Sequence, residues 1–101
     1  MTIRYRPAAL RDLETIYDTT VEIWGVRQAD HYLSQIRAAV DRLVAHPRSG
    51  HVYRDVVPER EYRSIPSGRH LVFYSIDRDE IVVVRVLHDR MDVRSKLSED
   101  Q

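Results

Sequence analysis

The sequence predicts an α+β fold: an N-terminal strand and an antiparallel helical hairpin, packed on one face of a small, mostly antiparallel β-sheet. Three observations predict it. Apolar residues recur every three or four positions from Leu10 to Val44, with a break at Gly25. From Glu61 onward the period drops to two, and Val, Ile, Phe and Tyr dominate as far as Leu87. Short polar turns separate these later runs. Helices that come first, each with one apolar stripe, then have a sheet face to cover.

Each element has its own signal. Thr2 to Arg6 alternates, with Ile3 and Tyr5 on one side, and reads as a short strand. Pro7 suits the first turn of a helix, where its missing N–H is harmless. Leu10, Leu13, Ile16, Tyr17, Val21 and Trp24 make the first stripe, and Gly25 stands where a C-cap glycine belongs. A second helix is expected from about Arg27 to Ala45, with Ala29, Tyr32, Leu33, Ile36, Val40, Leu43 and Val44 as its stripe and Pro47 as its stop. So short a connection makes the two helices antiparallel neighbours.

Ser49-Gly50 has turn chemistry, and a short extended piece is expected within Val52 to Val57. Strands follow at Glu61 to Ile65, Arg69 to Ile76 and Ile81 to Leu87, joined by turns at Ser67-Gly68 and Asp77 to Glu80. Strict alternation puts Val82, Val84 and Val86 on one face of the last strand and Ile81, Val83, Arg85 and Leu87 on the other. Apolar residues on both faces mark a central strand. Arg85 inside it needs a partner or a route to solvent. The sheet face away from the helices is expected to stay partly open, with arginines around it. Met91 to Leu97 has room for one or two helical turns.

The chain has 101 residues, one domain's worth, read as a domain over 1–97 and a frayed tail over 98–101. Its net charge is zero, which argues against a protein that coats nucleic acid. All but Lys96 of its 16 basic residues are arginine. Arginine forks suit carboxylate or phosphate, although a GC-rich genome also accounts for them. Cysteine is absent, so thiolate metal sites and disulfides are excluded. No signal-peptide h-region or long apolar run occurs, and a cytoplasmic location with no membrane contact is expected.

Few residues suggest catalysis. None of the five histidines has a helical i, i+4 partner with a flanking carboxylate, so no metal and no cofactor is expected. His70 and His88 lie on strands that should pair, but two ligands do not make a zinc site. No nucleophile elbow and no phosphate-cradling glycine loop is present. The remaining chemical option is a metal-independent ribonuclease, which needs an acid–base group and cations to stabilise the transition state. His88, Arg69 and Arg90 are its candidates, and structural roles compete for each.

Six segments stand out in combination: Ala9-x-x-Asp12-Leu13-x-x-Ile16, Gly25-x-x-Gln28-Ala29-x-x-Tyr32, His46-Pro47-x-x-Gly50, Tyr62-Arg63-Ser64-Ile65, Gly68-Arg69-His70-Leu71-Val72-Phe73-Tyr74 and Val86-Leu87-His88-Asp89-Arg90-Met91-Asp92. Together they resemble the ParE branch of the RelE/ParE toxin superfamily. The resemblance spans nearly the whole chain. It implies the toxin of a type II toxin–antitoxin system, neutralised by a ParD-like antitoxin and directed at DNA gyrase, with DNA contacted only through the antitoxin. RelE-like relatives instead cleave mRNA on the ribosome, commonly with a tyrosine near the C-terminus. The last tyrosine here is Tyr74, which favours the gyrase-binding reading. A weakly active toxin serving mainly in an autoregulatory complex is the third reading.

For a target interface the candidates are Arg63, Arg69, His70, Arg85, His88, Arg90 and Arg94. For a groove that takes an amphipathic antitoxin helix they are Leu13, Tyr17, Trp24, Tyr32 and Ile36.

Overall fold

A computed structural model describes residues 1–54, 56 and 60–99, the last of these for its backbone only. The elements are β1 (Thr2–Tyr5), α1 (Pro7–Trp24), α2 (Val26–Arg42), β2 (His51–Tyr53), β3 (Tyr62–Ser67), β4 (His70–Asp77), β5 (Glu80–His88) and α3 (Val93–Glu99). The sheet runs β1-β5-β4-β3-β2. β1 lies parallel to β5 and every other pairing is antiparallel. β5 is therefore central, as its two apolar faces require.

Pro7 opens α1, and Gly25 alone separates α1 from α2. At φ +93° the glycine adopts backbone that L side chains rarely do, so the chain reverses in one residue. Its N–H closes α1 on Val21 O, and its carbonyl accepts the Ala29 N–H of α2. Ala9, Leu13 and Ile16 of α1 join Ile36 and Val40 of α2 over Val72, Val83 and Val86 of the sheet. The 47–50 segment then folds back on the sheet. Tyr74 Oη donates to Pro47 O at 2.7 Å and accepts the Gly50 N–H at 3.1 Å. A Cβ on Gly50 would lie 2.7 Å from that hydroxyl, so close approach requires glycine here.

The structure corrects strict alternation in β5. Phe73 pairs with Arg85 but Tyr74 pairs with Val83, so Val84 is an extra residue in a β-bulge. The slip sorts Val83 and Val86 under the helices, and Val82, Val84 and Leu87 into a second cluster with Tyr62 and Phe73. Periodicity assigned Val82, Val84 and Val86 to one face because a period of two cannot contain an inserted residue.

Further details of the fold matter for function. The face opposite the helices is partly open, as expected, and α3 covers the rest: Leu97 is buried against Tyr62, Phe73 and Leu87. α3 also runs on through Ser98 and Glu99, which composition places in the tail, while 100–101 lie outside the described residues. Arg69 sits in the β3–β4 turn and not in the strand. Of the extended piece expected over 52–57, Val52 and Tyr53 belong to β2, and residues 55 and 57 lie outside the described set.

Candidate functional site

The β3–β4 turn and the segment after β5 meet at one end of the sheet. Their backbones are joined by the Asp89 N–H donating to Arg69 O at 2.9 Å. This brings together Arg69, His70, His88 and Arg90. His70 and His88 face each other in the β4–β5 register, with ring centroids 5.3 Å apart, edge to face. Tyr32 arrives from α2, its hydroxyl 2.6 Å from His70 Nδ1. That hydroxyl also accepts the Arg69 N–H at 3.0 Å and lies 3.3 Å from Ser67 O. Tyr32 thus ties α2 to the turn, and Gly68 leaves it room: a Cβ there would stand 2.6 Å from the tyrosine ring.

His88 Nδ1 accepts the Arg90 N–H at 3.1 Å and lies 3.2 Å from Asp89 Oδ1. Both rings border a cleft of about 420 Å³, with Thr15, Ile16 and Thr19 of α1 on one side and Met91 and Lys96 on the other. Burial, helped by the neighbouring His88, pushes the His70 pKa below its ordinary 6.5. The Tyr32 hydroxyl has one proton to share between Ser67 O and His70 Nδ1, and the tautomer of the neutral ring follows from which of them it faces. Among the described residues, no three His, Asp or Glu side chains cluster as a metal site would need.

A depressed histidine pKa has a signed consequence. The unfolded chain binds a proton at His70 at a higher pH than the folded chain does. The stability that the neutral ring supports is therefore complete above pH 6.5 and is lost as pH falls toward the folded pKa. Urea midpoints measured from pH 8 to pH 5 should drop over that window. His70→Gln should flatten the drop, and an unchanged slope would remove His70 as its source.

The other candidate cations are engaged elsewhere. Arg85 turns to α1, where Asp12 accepts from its Nε at 2.7 Å and its Nη2 at 2.9 Å. The same carboxylate accepts the Val86 N–H at 2.9 Å, on the edge of β5 beyond the end of β1. Arg63 is buried on β3. It donates to Arg48 O at 2.8 Å and Gly50 O at 3.3 Å, and pairs with Glu61 at 2.9 Å. Arg94 lies on α3 with its guanidinium 5.7 Å from the Tyr53 ring centre.

The groove candidates divide as well. Ile36 is 0% exposed and Leu13 6%, because both point at the sheet, so Ile36 belongs to the core and Leu13 offers only an edge. Tyr32 belongs to the histidine cluster. Tyr17 does border an outer groove of about 480 Å³ between α1 and α2, with Leu10 and Leu33. Trp24 stands 71% exposed at the hairpin tip beside Ile23 and Val26.

Comparison with known proteins decides the family. The model for the ParE toxin of the type II toxin–antitoxin system, parDE, matches residues 3–93. This chain belongs to the ParE toxin family. Toxin ParE1 of Mycobacterium tuberculosis is 43% identical to this ParE-family chain over 100 residues, covering 96% of this chain and 100% of the relative. Toxin ParE1 of Caulobacter vibrioides is 33% identical over 88% of this chain and 90% of its own length. Among solved structures, the chromosomal ParDE toxin–antitoxin system of P. aeruginosa superposes with a TM-score of 0.74 at 22% identity, over 87% of this chain and 95% of that one. The isolated E. coli RelE toxin superposes at 0.57 with 14% identity, over 97% and 95%. These two establish that the ParE-family chain has the RelE/ParE fold.

Spacing alone places neither Tyr32 at the histidines nor Asp12 on Arg85, because no local signal says which strand a helical side chain will reach.

Proposed function

We propose that this chain arrests growth by binding DNA gyrase without chemistry of its own, and that a ParD-like antitoxin holds it inactive. The reading starts from the ParE family assignment. The observation that favours binding over catalysis is the state of the two inward cations. Arg85 is spent on Asp12 and Arg63 on Glu61 and two loop carbonyls, which leaves a phosphorane only the rim residues Arg69 and Arg90 among the candidate cations. Arg69, Arg90 and the cleft rim supply contacts for a protein target. The Leu10–Tyr17–Leu33 groove, with the apolar tip beyond it, suits an amphipathic antitoxin helix. Among the described residues no helix is long and apolar enough to cross a membrane, which agrees with a cytoplasmic site of action.

A second reading has its own observation. The Tyr32–His70–His88 row holds an imidazole whose pKa is depressed, and such a group can act as a base at neutral pH. In that reading the chain cleaves mRNA on the ribosome.

One pair of assays separates the two. Purified toxin, freed of antitoxin, should abolish gyrase supercoiling and trap cleaved DNA while a translated reporter mRNA stays intact. His88→Gln should then change toxicity only a few-fold. Cut reporter mRNA with normal supercoiling, abolished by His70→Gln or His88→Gln in a folded protein, would replace the first reading with the second.

A further inference from the structure

A chain of zero net charge can still be polarised, and this one is. Six arginines, Arg4, Arg6, Arg48, Arg60, Arg63 and Arg78, surround one depression of about 540 Å³. It lies at the end of the sheet away from the histidine cluster, beside the β4–β5 hairpin. Glu61 and Asp77 are the acidic side chains in its described lining. Glu61 is held by Arg63 at 2.9 Å and Arg54 at 3.3 Å, and Arg4 pairs with Glu80 at 3.0 Å. Asp77 offsets one further charge, and the positive excess rests on Arg48, Arg60 and Arg78, all exposed, with Arg6 beside them. A concave surface of one sign focuses its field and concentrates counter-ions.

Arg78 adds a second, independent observation. Asp77 pairs with Glu80, so Arg78 and Asp79 form a two-residue hairpin turn. Arg78 has φ +56°, and among the described non-glycine residues it alone has positive φ. The first central position of such a turn usually holds glycine. An arginine there stores backbone strain, and strain of this kind gathers where a side chain is needed.

We propose that this basin binds a run of consecutive phosphates. Arginine forks match phosphate oxygens bidentately. A peptide partner would draw most of its affinity from apolar or aromatic anchors. The described lining offers only Ile76 and Val82 as apolar side chains and no aromatic ring on which a base could stack. A phosphate chain needs neither. Its natural sources are the backbone of a nucleic-acid strand, read without sequence preference, or free polyphosphate. The site is separate from the histidine cleft and does not depend on which target the toxin has.

The test is anisotropy titration of the full chain with a fluorescein-labelled abasic phosphodiester oligomer, from about 50 to 200 mM salt. Arg60→Ser and Arg78→Gly should each weaken binding several-fold and lower the log–log salt slope by about one. Arg27→Ser, on α2, should change neither. Arg78→Gly should melt no lower than the parent, which separates a lost contact from a lost fold. Competition by inorganic tripolyphosphate would identify free phosphate chains as ligands, whereas competition by unlabelled oligomer alone would identify a nucleic-acid backbone. Absence of binding at the lowest salt would overturn the proposal. So would equal competition by polyglutamate of the same charge, or equal binding by the Arg60 and Arg78 variants.

Discussion

Asp12→Ala should cost about 3 kcal/mol of folding stability, the low end of the range for breaking a buried ion pair. The low end applies because the Asp12 and Arg85 side chains remain 15% and 16% exposed, and water screens part of the interaction. Three contacts vanish together: two from the Arg85 guanidinium and one from the Val86 N–H. What remains is a guanidinium next to the core and an unpaired strand amide where β1 no longer covers β5. For a domain of this size the loss should lower Tm by roughly 12–24 °C. Asp12→Ala combined with Arg85→Met should be more stable than Asp12→Ala alone, because the guanidinium that lost its carboxylate is gone. Urea denaturation of the three variants checks this. A loss below about 1 kcal/mol would class the pair with ordinary surface ion pairs.

This pair also shows where sequence reading stops. An arginine amid Ile and Val announced that a partner was required, and the physical chemistry of burial was enough to say so. Which carboxylate answers is a matter of how α1 crosses the sheet, and Asp12 is 73 residues away in the chain. The helices were legible because their stripes, Pro7 and Gly25 are local signals. The central place of β5 was legible because both its faces are apolar. The bulge at Val84 was not, since it depends on the register with β4.

The site was legible in the same uneven way. His70 and His88 could be placed together because a hairpin register is nearly fixed by its turn. Arg90 followed from the segment after the last strand, whereas Arg69, read as the first residue of its strand, belongs to the turn. Tyr32 could not be distinguished from its stripe neighbours Leu33 and Ile36 by spacing, yet it alone bonds a histidine. That arginines would surround the open sheet face was legible, but which of them gather was not, because a zero net charge averages over a surface whose charges are not evenly spread. The basin's six arginines come from β1, the segments after β1 and α2, β3 with the chain just before it, and the β4–β5 turn. They meet only when the sheet forms.

Leu97→Ala should cost about 2–3 kcal/mol and release α3 from the sheet. α3 has seven residues, too few to persist in water unaided. Asp92 caps it weakly, accepting the Ser95 N–H at 3.4 Å, so tertiary packing must carry it. That packing centres on Leu97, which is 1% exposed against Tyr62, Phe73, Val84 and Leu87, with Val93 beside it. Truncating the side chain removes the contact that makes the helix cheaper than a frayed tail. Hydrogen exchange should then show α3 amides unprotected while β3, β4 and β5 stay protected, and the uncovered face should bind a hydrophobic dye. Full protection of α3 with stability within about 0.5 kcal/mol of the parent would mean that Val93 and the Arg94–Tyr53 contact suffice to hold it. The outcome bears on function, since α3 supplies Lys96 to the histidine cleft. If α3 detaches and the gyrase inhibition proposed above survives, that wall of the cleft is dispensable for the target. If inhibition is lost while the sheet stays intact, α3 is part of the surface that the target contacts.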